Sequence, residues 1–92
     1  METIWKYKLD IKHVNHIDVP EFGKVLCVQV QGGVPCVWIK VNPANPLVKR
    51  EFNVYFTGEE CDCLDGEYID TFQINELVFH VYGESQKPLD KP

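Results

Sequence analysis

Lys24–Gln31 (KVLCVQVQ), Gly32-Gly33 and Val34–Val41 (VPCVWIKV) decide the fold of this chain. Two runs rich in β-branched residues flank a glycine pair. Glycines accept the positive φ of a two-residue turn, so the stretch reads as a β-hairpin. With Gln31 and Val34 flanking the turn, the facing pairs are Val30/Pro35, Gln29/Cys36, Val28/Val37, Cys27/Trp38 and Leu26/Ile39. One face is then Leu26, Val28, Val30, Val37 and Ile39, wholly apolar and expected in the core. The other carries Cys27, Gln29, Gln31, Cys36, Trp38 and Lys40 and is mixed. Pro35 has no N–H, and this register turns its nitrogen away from the 24–31 strand, so the hairpin keeps its ladder.

Working outward, residues 4–11 alternate strictly, with Trp5, Tyr7, Leu9 and Ile11 on one face and Ile4, Lys6, Lys8 and Asp10 on the other. That is the pattern of a half-buried strand. Asn15 to Val19 is a shorter strand with Ile17 and Val19 inward. NPANP, from Asn42 to Pro46, stops both helix and ladder. A further strand is expected from Arg50 to Thr57, with Phe52, Val54 and Phe56 inward and Glu51, Asn53 and Tyr55 outward. An acidic loop, 59–67, precedes a second hairpin, Tyr68–Ile74 and Leu77–Tyr82, turning at Asn75-Glu76. Its register pairs Phe72 with Phe79 and Ile74 with Leu77. Ile69, Thr71, Gln73, Val78, His80 and Tyr82 then fall on the opposite face. Residues 84–92 lack periodicity and read as a mobile C-terminal tail. The expectation is an all-β fold: a single domain over 1–83, a small antiparallel β-sandwich or open barrel of six to seven strands.

Composition narrows the function classes. The chain has 92 residues, 45% of them hydrophobic, and a net charge of −5. A chain of this kind buries a core rather than remaining disordered. An acidic protein is a poor partner for DNA or RNA, whose phosphates need a basic surface. No apolar run approaches the roughly 20 residues of a membrane helix, and the N-terminal residues lack the order of a secretory signal. A soluble cytoplasmic protein without a membrane partner is expected. Cys27, Cys36, Cys61 and Cys63 then read as thiols. Cys27 and Cys36 sit diagonally on the hairpin at roughly 7 Å, long for a bridge. Zinc is disfavoured because Cys61-x-Cys63 lacks the usual ligand spacing.

IWKYKL at the start, VLCVQVQGGVPCVWIKV followed by NP, REFNVYFTG, and the closing EYIDTFQ and ELVFHVY together resemble a family of short proteins in tailed phages and prophage-bearing bacteria. That family is a domain of unknown function. The resemblance spans almost the whole chain and implies a stand-alone, phage-encoded small protein. It brings no catalytic residues with it.

Other constellations have bland explanations. His13 and His16 point to opposite faces of an extended segment. The acidic loop lacks the ligand order of a calcium loop. His80 has no nucleophile that sequence can place beside it. The mixed face carries more chemistry. If strands 34–41 and 50–57 are neighbours, Trp38, Gln29, Gln31 and Lys40 share a surface with Asn53 and Tyr55, and His80 and Tyr82 extend it. Flat rings, amides and a cation are the groups that hold a base, a ribose and a phosphate. Packing on a second sheet and burial in a dimer remain open for the same face. The functional expectation is a non-enzymatic binding protein without cofactor or metal. It sequesters a small host ligand, with a nucleotide-derived immune signal as the candidate. The alternative is a protein-interaction module that binds or inhibits a host protein. A homo-oligomer is expected, because a small β domain leaves edges open.

Overall fold

The computed structural model describes residues 1–60 and 66–83. The acidic segment 61–65, with Cys61 and Cys63, and the expected tail 84–92 lie outside the described residues. Among the described residues seven strands are formed: β1 (Thr3–Lys8), β2 (Asn15–Pro20), β3 (Lys24–Gln31), β4 (Val34–Val41), β5 (Leu47–Phe56), β6 (Glu67–Ile74) and β7 (Leu77–Gly83). They make two antiparallel sheets, β1-β4-β3 and β2-β5-β7-β6, without barrel closure. One core lies between them, built from Leu9, Val19, Val28, Val37, Ile39, Val41, Phe52, Val54, Phe72, Phe79 and Val81. No helix among the described residues is long and apolar enough to cross a membrane.

The Gly32-Gly33 turn forms as the alternation requires, both glycines having positive φ (59° and 80°). The hairpin register from Gln31↔Val34 to Cys27↔Trp38 is the expected one. The Leu9 N–H donates to the Pro35 carbonyl at 2.9 Å. Pro35 therefore presents its hydrogen-bonding side to the β1 side of β4, where its missing N–H leaves the β3 ladder whole.

Two β-bulges change which side chains reach the core. In β3 the register shifts between Val25 and Cys27, so Val25, not Leu26, stands opposite Ile39. Leu26, expected in the core, is 45% exposed. In β6 the shift falls between Tyr68 and Asp70. It turns Ile69, expected outward, against the core. A bulge adds one residue to one strand and reverses the facing of everything beyond it. Both bulges lie on strands that end their sheets, and there the two sheets meet: Asp70, paired with the core residue Val81, accepts the Val28 N–H at 2.8 Å. An inward-pointing carboxylate on an edge strand both satisfies a neighbouring backbone donor and blocks further pairing.

Smaller corrections follow from the ends of strands. β5 starts at Leu47 rather than Arg50, extending to pair with the whole of β2. Ile11 lies beyond β1 and is exposed, as is Phe56, because the sandwich opens at that end. Val30, expected in the core, sits near the hairpin tip and is partly exposed.

Candidate functional site

The eight residues expected to share one face are divided between two. β4 belongs to the three-stranded sheet and β5 to the four-stranded sheet, so the two are not neighbours. Trp38, Gln29, Gln31 and Lys40 lie on the outer face of β1-β4-β3. Asn53, Tyr55, His80 and Tyr82 lie on the outer face of β2-β5-β7-β6, on the other side of the core.

On the four-stranded sheet His80, Tyr55 and Tyr82 each contact other side chains. His80 contacts the Thr57 hydroxyl at 2.8 Å through Nε2 and the Thr71 hydroxyl at 3.1 Å through Nδ1. Thr71 in turn meets the Tyr68 hydroxyl at 2.7 Å. Tyr68 and Tyr82 pack edge to face at 5.7 Å, and His13 stacks on Tyr55 at 5.1 Å. Asn53 is buried, and its Oδ1 finds no partner among the described residues. His80, on β7, is thus held between the Thr57 hydroxyl just past β5 and the Thr71 hydroxyl on β6.

The outer face of β1-β4-β3 is different. Its cross-strand rows are Ile4–Lys40–Lys24, then Lys6–Trp38–Cys27, then Lys8–Cys36–Gln29. Trp38 is half-buried at the centre, with a lysine to one side and a thiol to the other. The Lys6 ammonium donates to the Gln31 amide oxygen across β4, at the level where Cys36 is buried. Lys40 lies 3.9 Å from Glu2, the one acid that pairs with this face among the described residues. Lys24 and Lys40 stand directly opposite each other, a like-charge pair whose repulsion the Glu2 carboxylate beside Lys40 offsets in part. Four of the chain's nine basic residues thus share one face of a protein whose net charge is −5. The local potential there is positive against the overall sign.

Sequence reasoning placed Lys6 and Lys8 correctly on one side of their strand but did not connect them with Trp38. Only the pairing of β1 with β4 does that. It also missed a hollow at the open end of the sandwich, about 410 Å³, lined by Ile11, Lys12, His13, Val54, Phe56, Glu59 and Phe79. Loop 10–14 forms one wall and is held by the buried Asn15, whose side chain bonds Asp10 N–H at 2.8 Å and Asp10 carbonyl at 3.0 Å. Glu59 bridges loop and sheet. It accepts the Phe56 N–H at 3.0 Å and contacts the His13 imidazole. The Phe56 N–H first, and His13 after it, hold the Glu59 carboxyl below its ordinary range against the opposing effect of burial.

No curated protein and no solved structure matches the chain. A family described as a domain of unknown function (DUF7352) matches residues 1–91, nearly the whole sequence and every strand described above. The chain belongs to that family.

Proposed function

We propose that this chain is a non-catalytic binding protein that takes up a small, anionic, ring-bearing ligand of nucleotide type on the outer face of β1-β4-β3. The observation that carries the reading is Trp38 set among Lys6, Lys8, Lys24 and Lys40, with the Lys24–Lys40 pair directly opposed. A base stacks on the indole, and phosphates meet the lysines. Gln29 and the Cys27 thiol flank the ring. Stacking on such a residue contributes roughly 1–3 kcal/mol per base. Asn53, Tyr55, His80 and Tyr82 have no part in this site, since they face away from it. The sequence resemblance noted above supports a phage setting. There the protein acts as a sponge in the bacterial cytoplasm, lowering the free concentration of a nucleotide-derived immune signal.

The test uses Trp5→Phe as background, leaving Trp38 the sole tryptophan. Its emission is followed while mononucleotides and cyclic dinucleotides are titrated. Material released from the purified protein by denaturation is identified by mass spectrometry. Measured by titration calorimetry against the otherwise native chain, Trp38→Ala should weaken binding by roughly 5- to 150-fold, the equivalent of the stacking contribution, while the melting temperature changes little. Normal binding with a much earlier melt would mean that Trp38 is structural and the site lies elsewhere.

A second reading, a protein-interaction module acting on a host protein, is favoured by the uncovered edge of β1. Among the described residues, that edge has strand partners on the β4 side alone. Open backbone donors and acceptors are what an added strand uses. Absence of any nucleotide in the released material, together with capture of one host protein that Ile4→Pro abolishes, would favour it.

A further inference from the structure

We propose that β1 pairs antiparallel with β1 of a second copy of this chain, about a twofold axis through Trp5, joining two three-stranded sheets into one of six. This goes beyond the ligand reading and stands without it. β1 is a six-residue strand, TIWKYK, exposed along its length except at Tyr7. Ile4 is 54% and Trp5 40% exposed, although Trp5 lies on the core side of its sheet opposite Ile39.

The backbone fixes which groups are open. The Leu9 N–H points to the Pro35 carbonyl, in the same register that pairs Tyr7 with Val37 and Trp5 with Ile39. Hydrogen-bonding direction alternates along an antiparallel strand. Thr3, Trp5 and Tyr7 therefore bond to β4, and Ile4, Lys6 and Lys8 turn their N–H and C=O groups outward. A twofold axis perpendicular to the sheet keeps inner faces with inner and outer with outer.

Centred on Trp5, the pairing sets Trp5 against Trp5, Thr3 against Tyr7, Ile4 against Lys6 and Glu2 against Lys8. The outward-facing residues supply about eight backbone hydrogen bonds. Edge lysines usually discourage pairing. In this register neither lysine meets another, and Glu2 meets Lys8 twice. Centred on Lys6 instead, lysine would face lysine, a destabilising contact. Centred on Ile4, less of β1 is paired. Charge complementarity and length select the Trp5 axis. The union also places both Trp38 faces on one surface.

Sedimentation of the full chain should give twice the 10.7 kDa chain mass, dissociating on dilution. Ile4→Pro removes an outward N–H without touching the β1–β4 ladder and should yield a monomer that keeps its circular dichroism. Glu2→Lys should weaken dimerisation by about tenfold, and adding Lys8→Glu should restore it. A native mass of one chain at high concentration, or a dimer indifferent to Ile4→Pro, overturns the proposal. Should Ile4→Pro fail to fold, the charge swap decides: no restoration overturns the proposed axis.

Discussion

Removing the Asp70 carboxylate tests whether the two sheets are held together where their edge strands meet. Asp70 sits just past the β6 bulge. One carboxylate oxygen accepts the Val28 N–H from the other sheet at 2.8 Å, and the other accepts the Thr71 N–H at 2.8 Å. Val28 is 2% exposed, so its amide has no ready access to water once the carboxylate is gone. Asp70→Ala therefore removes a charge-assisted bond and strands a buried donor, a cost of about 2 kcal/mol. For a domain of this size that lowers the melting temperature by roughly 8–16 °C and shifts the urea midpoint by about 1–2 M. Asp70→Asn keeps an acceptor oxygen and should cost about 1 kcal/mol or less. Native-state hydrogen exchange adds a local measure: the Val28 amide should lose most of its protection in Asp70→Ala. The amides of the Gly32-Gly33 hairpin should change only with global stability. Equal melting of Asp70→Ala and wild type, with Val28 protection intact, would show that the core alone holds the sheets together.

Two further outcomes follow from local geometry. Phe22, 86% exposed, occupies the third position of the Pro20–Gly23 turn at φ 69°, where the Gly23 N–H closes on the Pro20 carbonyl at 3.1 Å. An L-residue with a bulky side chain is strained there, so Phe22→Gly should raise stability by about 1 kcal/mol in urea titrations; a loss instead would mean that the ring packs on the fold. The Glu59 carboxyl has a folded-state pKa below its ordinary 4.5, so the stability it contributes is present above that value and is lost as pH falls through the lower folded one. Glu59→Gln should flatten the acid limb of the melting-temperature profile below about pH 5; an unchanged limb would assign acid unfolding to other carboxylates.

How much was legible in the sequence depends on how far each residue's partner lies along the chain. The Gly-Gly turn, the hairpin register from the turn as far as Cys27 and Trp38, the outward nitrogen of Pro35 and the Phe72–Phe79 pair all follow from local rules. Turn geometry and a period of two leave few alternatives over a few residues. The grouping of Lys6 and Lys8 on one side of their strand was equally readable. Which strand lies beside β1 was not, and the candidate site depends on it. The same limit explains why Asn53, Tyr55, His80 and Tyr82 were expected beside Trp38. Alternation tells which residues share a side of their own strand, not which sheet that strand joins. The bulges at Val25/Cys27 and Tyr68/Asp70 were hidden for a related reason. Leu26 and Ile69 are as apolar as any core residue, so composition could not reveal that one faces out and the other in. That choice belongs to the tertiary structure, because it is made where two sheet edges converge and a carboxylate on one strand must meet a backbone N–H on another.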